Sequence, residues 1–519
     1  MLPSTTNRKA KTGIVVLVIL TILLVAPLTS ARQLTLDQAL DIAVNNTARG
    51  GMIRGNLEVA EQYYSARRIN MYLPEISING SLPSYSQDES YRFFGGSNQK
   101  SLFEERSIDF SSFVELKQTL FTGGELTATA NLFSQDNRYP NTRLSGSLTD
   151  ELNQQGFFRF DLNQPLFRPS SVKNELNNRK DDVEIAKMTR IQEDAGLKTE
   201  VTEAYVSVLH LTLKEELESD KLTKFSLKEG IDSLKYVDGV LSQEDFLLSS
   251  SERLDAELEY FSVKTELEEQ KRELATLLDL DVSEDLTLDV PEINDHLDQA
   301  TKDRLAAAWD RTVPIIKAEH EYQKAEREAS YAASGHGLTG DLKASYSFGR
   351  GKVETELDQL VASIDTVSTT PLVTDTSVTL SRTTIDDDIN TTGWSVALEF
   401  RLPIWDGGAG NAAVKAARFE SERARYEFTR ARRSARATIL NLLNELDVSQ
   451  QRLGIIKRQT ELAANRLDIA KEREADGQIS RLTFLDSRIF YLETRQKYLE
   501  ELKKYLLNRI ELDSQFIGT

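Results

Sequence analysis

Apolar positions recur in steps of three and four over a long stretch near the C-terminus. Ile439, Leu442, Leu446, Ser449, Leu453, Ile456, Thr460, Ala463, Leu467 and Ala470 follow one another in strict three-four alternation. Sustained spacing of this kind is the seam of a coiled coil, here with Ser449 and Thr460 as its polar interruptions. Val201, Ala204, Val208 and Leu211 keep the same step in an earlier stretch. No proline occurs between Pro169 and Pro291, or after Pro403. A proline inside a helix costs about 3 kcal/mol, so the two tracts read as uninterrupted helix.

Each tract breaks once, at Val237-Asp238-Gly239 and at Ala475-Asp476-Gly477. Glycine there can end a helix, and the serine three residues on, Ser242 or Ser480, can cap the next one. Each tract is therefore a helical hairpin. The rising arm from Ser170 to Val237 would be on the order of 100 Å long at about 1.5 Å per residue. The two hairpins match without a gap: Pro165 and Pro403 open them, Gly239 and Gly477 turn them, and both pairs lie 238 apart. Ile231 and Ile469, Phe246-Leu247 and Phe484-Leu485, Leu254 and Leu492, and Tyr260 and Tyr498 share that offset. This is an internal duplication.

A period of two takes over ahead of the hairpins. Ile76 to Leu82, Leu342 to Phe348, Phe158 to Leu166 and Trp394 to Ile404 alternate apolar and polar residues, with Trp394, Val396, Leu398, Phe400 and Leu402 on one side. Strands with one apolar and one polar face are the mark of a transmembrane β-barrel, although a soluble sheet has the same alternation. Phe113 to Phe121 and Glu125 to Phe133 form an additional hairpin around Gly123-Gly124, inside the barrel or beside it. The polar stretches from Pro83 to Arg106 and from Gly349 to Thr391 read as loops. Shorter helices begin at Leu36-Asp37-Gln38 and Leu297-Asp298-Gln299. The expected fold is a mixed α/β membrane protein with an internal two-fold repeat. Its domains are a first repeat over 32–290 and a second over 291–519.

Composition narrows the function. Arg8, Lys9 and Lys11 precede an apolar run from Gly13 to Ala26 and the small residues Thr29-Ser30-Ala31. That is the layout of a signal peptide over residues 1–31, and export follows from it. No later apolar run is long enough to span a membrane as a helix, which leaves any later crossing to strands. The chain has no cysteine, hence neither disulfides nor thiolate sites. Its four histidines, His210, His296, His320 and His336, are scattered, and no metal-spaced cluster accompanies them. A net charge of −19 argues against a nucleic-acid partner. It fits a solvated helical surface or a charged aqueous lumen. No catalytic constellation or phosphate-binding loop is present, so neither an enzyme nor a bound cofactor is expected.

The ordered set of these features resembles the TolC-like outer-membrane efflux protein family. The likeness rests on the helix from Leu34 and the Tyr72-Leu73-Pro74-Glu75-Ile76 step into the first strand. It continues in the passages Gln118 to Gly124, Gln164-Pro165-Leu166-Phe167 and Leu402 to Gly408, and in the Gly-x-x-Ser turns at Gly239 and Gly477. It covers nearly the whole mature chain. The resemblance implies a homotrimer whose β-barrel crosses the outer membrane, in contact with its lipid, and whose helical tunnel runs through the periplasm. An inner-membrane efflux pump or ABC exporter and a periplasmic adaptor protein would be its partners. Such an assembly is a passive duct for efflux or type I secretion. The family has two strands per repeat, so the additional hairpin is a departure.

The likeness also points to the two helical turns as the periplasmic tip. Asp486 matches a family aspartate that lines the constriction, and Thr483 replaces a second one. In the first repeat Asp245 stands where Thr483 stands in the second, and Leu248 where Asp486 stands. Rings of such carboxylates in a trimer would favour cations; the plainer alternative is an ordinary exposed helix carboxylate. Gly239, Ser242, Gly477 and Ser480 are candidates for adaptor contact and, in any case, shape the turns. A periplasmic adaptor or a coiled-coil scaffold are the competing functions. Adaptors carry one hairpin between compact β-domains, whereas this chain has two.

Overall fold

The computed structural model describes residues 32–93, 100–140, 148–282, 286–293, 297–335, 337–367, 373–402 and 404–517. The signal segment, His296, His336 and Pro403 lie outside the described residues. β1 (Arg32–Leu34) leads into α1 (Leu36–Asn45) and α2 (Ala48–Tyr72). Four strands follow: β2 (Glu75–Phe93), β3 (Lys100–Thr119), β4 (Glu125–Pro140) and β5 (Leu148–Leu166). The first long hairpin is α3 (Ser171–Val237) and α4 (Gln243–Leu277). After β6 (Leu286–Leu288) come α5 (Gln299–Ala307), α6 (Val313–Ser334), β7 (Thr339–Val367) and β8 (Val373–Arg401). The second hairpin, α7 (Ala409–Ala475) and α8 (Arg481–Ser514), closes the chain.

The duplication is visible in the element boundaries. α3 and α7 are each 67 residues long, and both start and stop 238 residues apart. At about 1.5 Å per residue each is roughly 100 Å long. α4 and α8 start at the same offset, behind the N-caps Ser242 and Ser480. The anticipated seam on α7 is buried at Ile439, Leu446, Ser449, Leu453, Ala463 and Ala470 and half-buried at Leu442, Ile456, Thr460 and Leu467. Val201, Ala204, Val208 and Leu211 on α3 are buried too. Among the described residues no helix is long and apolar enough to cross a membrane.

Contacts divide the chain into two compact units, taken over their described residues. One is Met1–Glu58, Ala186–Lys317 and Thr429–Thr519; the other is Val59–Ile185 and Ala318–Phe428. In the first, β1 and β6 pair in parallel, and Tyr205 secures them. Its fully buried hydroxyl lies 2.7 Å from both Leu34 O and Asp289 O and accepts from Asp289 N at 3.1 Å. Burial pushes its pKa up to about 12, so it stays a neutral donor.

The second unit holds one antiparallel sheet in the order β2-β3-β4-β5-β7-β8. Register aligns side chains of one kind across all six strands. Ile76, Leu116, Ala128, Phe160, Tyr346 and Trp394 are successive cross-strand partners, and all point to one face. One residue earlier or later on each strand lies the other face. Glu75, Lys117, Thr127, Asp161, Ser345 and Ser395 form a polar row there. Below the sheet, α6 and the start of α3 are joined by polar contacts. Asp181 pairs with Arg327 and accepts from His320 Nδ1 at 2.8 Å, and Lys324 meets Asp182 at 2.6 Å.

Two expectations change. The stretches Pro83 to Arg106 and Gly349 to Thr391, read as loops, are largely strand. β7 and β8 run 29 residues each and pair from Thr339↔Arg401 to Val367↔Val373. Ladder hydrogen bonds need no apolar face, and threonine suits a strand, so a stretch dense in threonine, serine and aspartate can be strand without a continuous apolar face. The hairpin around Gly123-Gly124 is β3–β4, placed inside the sheet between β2 and β5.

Candidate functional site

The two hairpin turns have the same geometry. Gly239 and Gly477 both have φ of +71°, the left-handed conformation that glycine adopts without strain. Val240 N donates to Lys235 O and Gln478 N to Arg473 O, each at 2.8 Å, and the glycine N–H groups reach Tyr236 O and Glu474 O at 3.0 Å. These paired bonds satisfy the last carbonyls of α3 and α7 in a Schellman arrangement. Ser242 then accepts from Asp245 N at 3.1 Å, and Ser480 from Thr483 N at 3.2 Å. All four adaptor-contact candidates thus shape the turn.

The equivalent residues Asp245 and Thr483 do the same work. The Ser242 hydroxyl donates to Asp245 Oδ2 at 2.7 Å, and the Ser480 and Thr483 hydroxyls lie 3.0 Å apart. Asp245 is thereby bound to its own helix start, where a carboxylate also complements the helix dipole. Asp486 is placed differently. Its carboxylate meets Lys224 of α3 at 2.6 Å while remaining 54% exposed.

That pair belongs to a ladder between α3 and α8 that sequence reading did not find. Arg488 reaches Glu216 at 2.9 Å and Asp220 at 2.8 Å. His210 Nε2 lies 3.6 Å from Glu500 farther along. Asp220 is buried, and its Oδ2 has charge pairing but no hydrogen bond. Burial accordingly pushes the Asp220 carboxyl above its ordinary range, against the opposing pull of Arg488. The partners are some 272 residues apart, which hides the ladder from local pattern. The offset of 238 does carry a trace of it. Glu216, Asp220 and Lys224 become Gly454, Arg458 and Leu462 on α7, and Asp486 and Arg488 become Leu248 and Ser250 on α4. Charge at one helix pair is matched by mostly uncharged residues at the other. Among the described residues no group of acidic residues and histidines could hold a metal ion.

Residues 310–516 match the family model described as outer membrane efflux protein. The match lies within the second half of the chain. The match covers the second repeat from before α6 to the end of α8; the first repeat is related through the fold. The description of that family model does not favour the adaptor alternative. VceC, an outer membrane protein of Vibrio cholerae, is similar in structure with a TM-score of 0.54 at 12% identity, over 93% of this chain and 96% of that one. A membrane protein from Pseudomonas aeruginosa gives 0.53 at 13%, over 92% of both chains. The CmeC outer membrane channel of Campylobacter jejuni gives 0.53 at 12%, over 92% of this chain and 84% of that one. Identities this low establish the fold. A search of curated proteins returns no sequence match.

Proposed function

We propose that this chain is a TolC-like outer membrane efflux protein, three copies of which assemble into one exit duct. An inner-membrane efflux pump or ABC exporter feeds it through a periplasmic adaptor. The signal peptide, residues 1–31, is removed on export, and the repeats over 32–290 and 291–519 supply alternate sectors of the wall. The apolar sheet face meets outer-membrane lipid. The hairpin turns at Gly239, Ser242, Gly477 and Ser480 receive the adaptor, and the tips form the gate, with Asp486, Asp245 and Thr483 toward the opening.

One observation carries this reading: an apolar stripe that is covered in one repeat and open in the other. On α8, Leu485, Leu492 and Leu499 are each 1% exposed. Their equivalents on α4, Leu247, Leu254 and Phe261, are 57%, 50% and 56% exposed. α7 shows the complementary stripe. Val448, Ile455, Leu462 and Ile469 recur every seven residues and are all exposed. Three of their α3 equivalents are engaged: His210 and Lys224 pair with α8, and Leu217 is buried. The α3–α8 contact inside one chain therefore has an unpaired counterpart, α4 of one copy against α7 of the next. Burying the open half of each side chain contributes roughly 1 kcal/mol. A head-to-tail contact of this kind closes into a ring and also removes the open edges of β2 and β8.

Transferring the Lys224–Asp486 contact by 238 residues gives Leu462 of one copy opposite Leu248 of its neighbour. Because the chain has no cysteine, the pair Leu248→Cys with Leu462→Cys can be read without background. A short bis-maleimide should convert membrane-embedded protein into a covalent trimer on denaturing gels, while either single variant stays monomeric. A monomer band alone from the double variant would refute the assembly.

A further inference from the structure

We propose that β3–β4 is an inserted wall hairpin, so that each copy contributes six strands and three copies close an eighteen-stranded barrel with a widened outlet. The inference rests on the trimeric reading above for its total, and on the sheet alone for the six. Three observations place the hairpin in the wall. It lies between β2 and β5, with β3 paired along β2 and β4 along β5, so removing it would leave β2 without its partner in the sheet and β5 with β7 alone. Its side chains continue the faces of the sheet. Leu116 and Val114 on β3, and Ala128 and Ala130 on β4, stand in the same rows as Phe160, Phe158 and Trp394, while Lys117 and Thr127 stand in the polar row.

The third observation is at its turn, which is fitted to the start of the first long helix. The Ser170 hydroxyl, which caps α3 by accepting from Lys173 N, donates to Phe121 O at 3.0 Å. Thr122 donates to Gln164 at 2.5 Å, and Lys173 lies over the Phe121 ring. Gly123 sits at φ of +89° with Ser170 so close that a Cβ would be only 3.1 Å from it. A hairpin lying beside the wall would need none of this fit.

The consequence is a wide exit. With strands about 4.8 Å apart and tilted about 40°, eighteen strands enclose a backbone cylinder about 36 Å across, against about 24 Å for twelve. Even lined with side chains, the wider cylinder admits two α-helices of about 10–12 Å side by side. The outer-membrane segment then imposes no sieve on polypeptide-sized cargo.

Brominated phosphatidylcholine vesicles test the placement. In full-length protein with Trp309, Trp394 and Trp405 replaced by Phe, a tryptophan introduced as Ala128→Trp should lose at least half its emission on bromination. A variant retaining only Trp394 should do the same, and Thr129→Trp on the other face should not. Quenching at Trp394 but not at Ala128→Trp would overturn the wall hairpin while leaving the barrel reading intact. Quenching at neither would overturn both. If the tryptophan-free background misfolds, a bimane label on Ala128→Cys in the otherwise native chain reports the same outcomes.

Discussion

Arg488→Glu is expected to raise the open population of the purified channel about tenfold. Arg488 bridges Glu216 and Asp220 on the facing helix, and reversal would set three carboxylates against one another. Breaking a buried pair costs about 3–5 kcal/mol, but Arg488 is 34% exposed, which reduces the effect to about 1–2 kcal/mol. About 1.4 kcal/mol is a factor of ten in an equilibrium, hence the expected size. Single-channel recording at fixed salt measures it, and high salt should narrow the difference because screening weakens the exposed Glu216 arm most. Arg488→Lys, which keeps the charge, should stay near the parent. Unchanged gating in Arg488→Glu would show that the α3–α8 contact does not hold the tips together.

Asp486→Ala has the second large effect, on ion selectivity. The substitution removes an exposed carboxylate and leaves Lys224 without its 2.6 Å partner. In a trimer that changes three charge-balanced Lys224–Asp486 pairs at the proposed opening into three uncompensated positive charges. The cation-to-anion permeability ratio, read from reversal potentials in a salt gradient, should fall severalfold, and block by multivalent cations should weaken. An unchanged ratio would place Asp486 away from the ion path. Asp245→Asn should have a smaller effect on selectivity, because Ser242 already holds that carboxylate at the helix start.

How far the sequence could be read depended on what repeats locally. The seam through Ile439, Leu453 and Ala470 and the turns at Gly239 and Gly477 rest on local spacing, and both are where that spacing put them. The strand alternation at Trp394, Val396 and Leu398 was equally legible. The polar continuation of β7 and β8 was not, because a ladder satisfied by backbone bonds leaves no mark in side-chain pattern. The β3–β4 hairpin could be seen, but its place between β2 and β5 is a matter of pairings that reach 42 residues along β2 and 38 along β5. At the candidate site, the turn residues were found by their capping chemistry. The Lys224–Asp486 and Arg488–Asp220 pairs were not, since nothing local couples α3 to α8. The stripe at Val448, Ile455, Leu462 and Ile469 has the same period as the buried seam beside it. Only burial separates the two.

The proposed channel is tested most directly by a planar-bilayer recording from the detergent-purified protein. Discrete, cation-selective conductance steps are expected from a species that the bis-maleimide pair Leu248→Cys and Leu462→Cys traps as a trimer. Folded, membrane-inserted protein that produces no discrete conductance, in the parent and in Arg488→Glu alike, would contradict the channel.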